Sequence, residues 1–327
     1  MYDAVSGSAL AHMPLIPQME QRHKAPYGVI HRAELHKILR SRVEQSDNIT
    51  LKYSSALSEF TDKGNSVTVK TVDRGNFTAR ALVGADGLWS RVRDSVLGDG
   101  PPRYTGLVAW RAVVRRDIVD KCFKARQTGL WLGERAHLVH YPVSGGQLLN
   151  IVAITESADP PHGWSTQGSA DNLLLCFEDW ARPATILLKQ VAEWRTWALY
   201  DRDPAPAWGV GRTTLLGDAA HPMVPFLAQG GAMAIEDAGV LAAFLKHNPD
   251  NPRAALRAYE NLRITRTARV SQTSRSNATL FHLGGNKRRL RNMALKASTA
   301  APGLLLRKYD WLYGYKALDE KFTASSD

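Results

Sequence analysis

One stretch constrains this chain more than any other: GRTTLLGDAAHPMVPFLAQGGAMAIEDAGVL, residues 211–241. An apolar run ends at Gly217 and Asp218, Pro222 and Pro225 stiffen the connection, and Gln229, Gly230 and Gly231 open a pattern of helical period. A strand, a connection and a helix in that order form the repeating piece of an open α/β sheet, where ligands bind at the carboxyl ends of the strands. The strand-end acid is an acceptor suited to ribose or ribityl hydroxyls. The first N–H groups of the helix lack partners of their own and lie at the positive end of its dipole, which makes a site for negative charge. The plain alternative is a strand, loop and helix with glycines there for packing.

A second site of the same kind lies earlier. VTVKTV (67–72), DRGN and then FTARALVGADG predict a β-hairpin running into a buried strand that ends at Gly84. Asp86 follows the strand end, and Gly87 permits a tight turn or the close approach of a ligand. Ser90 is placed to cap the short helix SRVRDSVLG, and Gly98 to end it. Asp-Gly is also a common turn, so these residues alone leave a turn-forming role for Asp86 open.

HRAELHKILRSRVEQ (31–45) has the spacing of an amphipathic helix. From Tyr104 to about Tyr200 the texture changes. LVAWRAVV, RAHLVHYPV and QLLNIVAIT predict strands, with SGG as a turn, while DNLLLCFEDW and ATILLKQVAEW predict helices. TTLLGD predicts a strand; a long helix follows Gly231, YENLRITRTARV continues as helix, and LLLRKYDWLYGY is a last helical piece. The order predicts an α/β domain split over 1–102 and 202–296, an inserted and mostly antiparallel domain at 103–201, and a C-terminal helical segment at 297–327. On the strand containing RAHLVHYPV, His137 and Tyr141 are four apart and share one face, with His140 on the other. His137 either meets a ligand there or is hydrogen-bonded inside the sheet.

Composition enters by exclusion. The net charge is +11, and residues 253–296 hold eleven Lys or Arg against the single acid Glu260, so that stretch alone contributes +10. It reads as a nucleic-acid or membrane-surface patch, or as helical faces meeting acids elsewhere in the fold. No aromatic platform is interleaved with it and no DNA-binding motif is visible, so no nucleic-acid partner is expected. No apolar run approaches the ~18 residues of a membrane span. The first residues, MYDAVSGSALAHMPLIPQ, show no basic region followed by an apolar core, so a secretory signal is not expected. Cys122 and Cys176 have no metal spacing and are expected as reduced core residues of a cytoplasmic protein.

Taken together, VGADGLWSRVR resembles the Asp-Gly motif of class A flavoprotein monooxygenases, and GRTTLLGDAAHPMVPFLAQGGAMAIEDA resembles their Gly-Asp motif closely and over a long stretch. HRAELHKIL resembles their helix carrying an FAD-contacting arginine. The likeness runs from about Pro26 to about Leu283 and points to the branch of salicylate hydroxylase, 3-hydroxybenzoate 6-hydroxylase and 6-hydroxynicotinate monooxygenase. It implies a p-hydroxybenzoate hydroxylase-like FAD-binding fold with an inserted substrate-binding sheet. It also implies roles. Arg32 would contact FAD; Asp86 and Gly87 would lie near its pyrophosphate, with Asp86 affecting nicotinamide binding. Asp218 would hold a ribityl hydroxyl and Pro225 would sit near the ring. Gly230, Gly231 and Ala232 would present N–H groups to the pyrimidine edge. His137 and Tyr141 would be the catalytic, substrate-side pair. The implied reaction is reduction of FAD by NADH or NADPH, capture of O2 as a flavin hydroperoxide, and hydroxylation of a small aromatic acid such as a hydroxybenzoate, salicylate or hydroxynicotinate.

The family's FAD domain starts with a strand, G-x-G-x-x-G and a helix that receives the pyrophosphate. GVGRTT (209–214) has only two of those glycines and precedes a strand, so it is not that loop. The sequence is therefore expected to be N-terminally incomplete by at least a βαβ unit, about 30 residues or more. A misassigned start, a degraded or spliced gene product and a stable protein with another role all stay open. The alternative to the hydroxylase is a non-catalytic remnant with impaired FAD binding.

Overall fold

A computed structural model describes residues 1–73, 75–161, 163, 165–300 and 302–318. The chain opens with strand β1 (Tyr2–Asp3) and helices α1 (Gln18–His23) and α2 (Arg32–Glu44). Strands β2 (Leu57–Asp62), β3 (Val67–Thr71), β4 (Gly75–Ala79) and β5 (Leu82–Gly84) follow, then α3 (Arg91–Leu97). Next come β6 (Arg103–Arg115), β7 (Gly129–Leu132), β8 (Ala136–Val143), β9 (Leu148–Glu156) and β10 (Thr166–Gly168). Helices α4 (Ala170–Leu175) and α5 (Arg182–Lys189) lead to β11 (Trp194–Asp201) and β12 (Thr213–Leu215). The rest is helical: α6 (Gly230–His247), α7 (Pro252–Phe281), α8 (Gly285–Ser298), α9 (Pro302–Arg307) and α10 (Asp310–Tyr313).

Packing divides the chain into two compact units. The first holds Met1–Asp47, Tyr104–Leu199 and Ala278–Tyr315; the second holds Asn48–Arg103, Tyr200–Asn277 and the residues from Lys316. The breaks near 103 and 200 fall where the sequence changes texture. Residues 1–47 and 278–296, however, group with the large sheet, whereas the sequence places 1–102 and 202–296 together in the other domain. Of the expected C-terminal segment 297–327, residues 319–327 lie outside the described residues.

The first unit is built on a seven-stranded sheet in the order β1-β7-β8-β9-β6-β11-β10. Register fixes its two faces, because side chains alternate along each strand. Leu138 pairs with Ala153, which pairs with Trp110; with Trp131, Ile151 and Trp194 these line the face that Leu173, Phe177, Leu187 and Leu188 of α4, α5 and their connection cover. The neighbouring row, Val139, Val152 and Arg111, lies on the opposite face.

Three expectations in this unit are corrected. The helical pattern read through Trp194 stops at Lys189, because Trp194 starts β11 and is buried in the sheet core. Cys122 and Cys176 are exposed rather than core residues: their neighbours Phe123 and Phe177 take the inward positions. Residues 32–44 do form a helix, but α2 buries none of its residues, and Ile38 and Leu39 are exposed.

The second unit has an antiparallel sheet of β2, β3 and β4 and a parallel pair, β5 with β12. Ser90 caps α3 by accepting from the Arg93 N–H, and Gly98 ends it in the left-handed region, as the sequence predicts. Val92, Trp208, Leu215, Val240, Leu256 and Tyr259 form the core around which α6 and α7 pack. Part of the basic run meets acids: Arg263 pairs with Asp237, Arg266 with Glu236, and Arg275 with Asp201. Among the described residues no helix is long and apolar enough to cross a membrane.

Candidate functional site

β5 and β12 run parallel with Leu82 opposite Thr213 and Gly84 opposite Leu215, so the two strands end level. Asp86 and Asp218 therefore follow the same carboxyl end of adjacent strands. Their surroundings differ. Asp86 accepts hydrogen bonds from Ser90 Oγ at 2.5 Å, Arg91 N at 2.8 Å and Val92 N at 3.2 Å, so its carboxylate closes the start of α3. Gly87, beside it, has φ +77° and open space where a Cβ would stand. Asp218 lies in a 3-10 turn, Gly217–Ala219, and is exposed. Among the described residues it makes no hydrogen bond or ion pair.

Downstream, Pro225 opens a second 3-10 turn, Pro225–Leu227, and Gln229 leads into α6 without a side-chain cap. The N–H groups of Gly230, Gly231 and Ala232 belong to the first turn, where no intrahelical acceptor exists. A Cβ on Gly231 would meet nothing within 4 Å, and Gly231 and Ala232 are exposed. An unpaired carboxylate, uncapped N–H donors and a clear approach to the backbone fit the hydroxyl chain and the electron-rich ring edge of a flavin.

The loop between these features is braced from behind. Asp237 of α6 accepts from His221 Nε2 at 2.5 Å, from Gly217 N at 3.1 Å and from Arg263 Nε of α7 at 2.7 Å. Burial pushes the Asp237 carboxyl up, and the His221 hydrogen bond and the charges of His221 and Arg263 more than offset it, so it stays below the ordinary carboxylate range. Gly217 has φ +61°, and a Cβ there would come 3.2 Å from Ala234, so the turn needs glycine on both counts. Arg93 Nη1 donates to the carbonyls of Ala219 at 3.0 Å and Ala220 at 2.7 Å. Ser274 Oγ donates to Val224 O at 2.5 Å and Asn277 Nδ2 to Phe226 O at 3.1 Å. The backbone that would face a cofactor is thus fixed before any ligand arrives.

Arg32, His137 and Tyr141 belong to the other unit. His137 is buried, and its Nδ1 lies 2.7 Å from His282 Nε2, with Phe281 edge-on to its ring. Burial holds the His137 imidazole well below its usual pKa, and the His282 ring adds to that; His282 is itself held down to about 4 by burial. The pair is neutral at pH 7. Tyr141 shares the sheet face with His137, as the spacing predicts, and burial raises its phenol while Arg111 acts in the opposite sense. His140 points into the helix-covered core against Phe123. Arg32 is exposed at the first position of α2.

Residues 9–274 match the protein family described as FAD binding domain. The chain belongs to this family, the class A flavin monooxygenases. It is 34% identical over 319 residues to 3-hydroxybenzoate 6-hydroxylase 1 of Aquipseudomonas alcaligenes, covering 97% of this chain and 80% of that one. It is 33% identical over 286 residues to 6-hydroxynicotinate 3-monooxygenase of Pseudomonas fluorescens, covering 84% and 72%. Among solved structures, a salicylate hydroxylase substrate complex matches with TM-score 0.80 at 26% identity over 97% of this chain and 79% of that one. Klebsiella pneumoniae HpxO complexed with FAD and uric acid matches with TM-score 0.83 at 26% identity over 96% and 79%.

Within this flavin monooxygenase the residues expected from sequence fall into separate groups. Asp86, Gly87, Asp218, Pro225, Gly230, Gly231 and Ala232 are in the unit with the parallel pair, and Arg32, His137 and Tyr141 are in the unit with the large sheet. The bracing residues Asp237 and Arg263 were missed. A signal existed: each puts a charge in the inward stripe of its helix, Asp237 between Met233 and Val240, Arg263 between Leu256 and Val270. Opposite charges in two consecutive apolar stripes mark a buried ion pair.

Proposed function

We propose that this chain is an FAD-dependent monooxygenase that uses NADH or NADPH and O2 to hydroxylate a small aromatic acid of the hydroxybenzoate, salicylate or hydroxynicotinate type. The observation that carries the reading is the Asp218 carboxylate, unpaired among the described residues, beside the uncapped start of α6 at the carboxyl end of the β5–β12 pair. When bound, the flavin supplies electron transfer from the nicotinamide and activation of oxygen.

The chain's own residues do the rest. Asp218 accepts from ribityl hydroxyls. The N–H groups of Gly230, Gly231 and Ala232, with the dipole of α6 behind them, favour negative charge at the ring edge. Pro225 stiffens the wall beside the ring, and the Asp237, His221 and Arg263 network keeps the loop from relaxing away. Asp86 fixes α3 and, with Gly87, shapes the turn beside the pyrophosphate, while Arg32 serves as a cationic contact. On the large sheet, Tyr141 and His137 meet the substrate. An imidazole held so far below its usual pKa is a poor proton acceptor, so His137 is assigned hydrogen bonding and positioning rather than full proton removal. The working compartment is the cytoplasm, where thiols such as Cys122 and Cys176 stay reduced.

The test is to express residues 1–327 and look for bound flavin, then for NADH or NADPH oxidation that 3-hydroxybenzoate, salicylate or 6-hydroxynicotinate accelerates, with a hydroxylated product. A colourless preparation that stays inert after FAD is added would overturn the reading and leave the non-catalytic alternative.

A further inference from the structure

Arg111 stands out among the arginines of the first unit. Arg115 pairs with Asp117, Arg135 with Glu156 and Arg288 with Asp3. Arg111 makes no hydrogen bond or ion pair among the described residues, and its Nε is buried without a partner. Its Cζ lies 5.3 Å from the ring centre of Trp197, which steadies the guanidinium but leaves its N–H fork unfilled.

Register explains where that fork is. Arg111 pairs with Val152 and Val152 with Val139, so Arg111 lies on the sheet face of Val139, His137 and Tyr141, away from the α4–α5 core. The charges of Tyr141 and Arg32 both act on it, and burial pushes its pKa below the usual value. Tyr141 also acts on the half-buried Tyr27. Arg111 is half-buried with its Nε cut off from water and no anion beside it among the described residues, an unfavourable placement for a guanidinium that persists where a ligand is to complete the pairing. A second cation, Arg32, close enough to act on it makes the absence of an anion more marked. Tyrosine and tryptophan rings around the fork suit an aromatic body, and the fork matches a planar carboxylate bidentately.

We propose that Arg111 is the group that recognises the carboxylate of the substrate, with the Tyr141 hydroxyl as a neighbouring donor, and so selects aromatic acids over their neutral analogues. The inference rests on the reading of an aromatic acid as substrate, and it adds the residue that imposes the acid.

The test is binding rather than turnover. Equilibrium dialysis of the full chain with 3-hydroxybenzoate, its neutral isostere 3-hydroxybenzamide and inorganic phosphate needs no bound flavin. The wild type is expected to prefer the acid over the amide by about 20-fold or more, as for a charge-assisted bidentate pair. Arg111→Met, which keeps the stem over Trp197, is expected to bring acid and amide to near-equal affinity. Arg111→Lys is expected to keep part of the preference. A wild type that does not prefer the acid, a phosphate that displaces the acid at equal concentration, or an Arg111→Met protein that keeps the preference would each overturn the proposal. Flavin content of the same preparations separates the two readings: bound flavin with unchanged acid preference in Arg111→Met sinks only this assignment, whereas absent flavin with the preference intact sinks the hydroxylase and leaves the carboxylate site standing.

Discussion

Asp237 Oδ1 accepts a hydrogen bond from Arg263 Nε at 2.7 Å, and neither side chain is exposed. The same carboxylate takes the Gly217 N–H and His221, so one ion pair between α6 and α7 sets the turn that presents Asp218. Removing one partner of a buried pair leaves the other charge without compensation, at a cost of about 3–5 kcal/mol. Glu236, 2.7 Å from Arg263, softens that. Asp237→Asn is therefore expected to lower the urea midpoint clearly, towards the lower end of that range, and to weaken FAD binding with it. A midpoint equal to the wild type would show that the pair does not hold the loop.

Acid should destabilise the first unit through its histidines. Both ring nitrogens of His140 are buried without a partner among the described residues, and burial holds its pKa down to about 4; His282 is also held to about 4 by burial, with Glu156 and Arg291 acting in opposite senses. In the unfolded chain such rings titrate near ~6.5. The unfolded state then takes up protons first as pH falls. The stability tied to the neutral rings is complete above ~6.5 and is lost as pH falls towards 4, of the order of 3 kcal/mol for His140. Melting temperatures at pH 7 and pH 5 should differ less in His140→Leu than in the wild type. An equal drop in both would remove His140 from the account.

How much of this was legible depended on sequence distance. The Ser90 cap and the Gly98 stop are local, so residue type and spacing were enough. The shared face of His137 and Tyr141 follows from the strand period alone. The contact that decides what His137 does, with His282, spans 145 positions, and no local pattern encodes it. Arg111 had no signal either: in LVAWRAVV it reads as a polar residue on a half-buried strand, and only the missing counter-ion marks it. The helix expected through Trp194 failed because sheet pairing and burial of a large ring override helical spacing. α2 shows the converse, since its spacing is right but spacing does not say what the face packs against.

The two strand-end acids should separate under mutation. Asp218 is exposed and has no partner among the described residues, so Asp218→Ala is expected to leave the melting temperature within about 1 °C and to weaken FAD binding by about 10-fold or more, the worth of hydrogen bonds to a charged acceptor. Asp86 holds three donors at the start of α3, so Asp86→Ala is expected to cost about 1 kcal/mol of stability as a lost cap. Calorimetry and fluorescence titration with FAD read the two effects separately. A destabilised Asp218→Ala protein with unchanged FAD affinity would make Asp218 the structural acid instead.

Gly231 gives the sharpest test of the α6 start. Its backbone is not in the left-handed region, and a Cβ there would meet nothing within 4 Å. Alanine is the better helix former by up to ~1 kcal/mol, less in the first turn, so Gly231→Ala should stabilise the ligand-free protein slightly. The added methyl would occupy the approach that a ring needs to reach the N–H groups, so FAD affinity should fall. Stability and binding are expected to move in opposite directions, which no general loosening of the fold produces. If both rise, the open space at Gly231 is not where the cofactor lies, and the donors of Gly230 and Ala232 lose their assigned role with it.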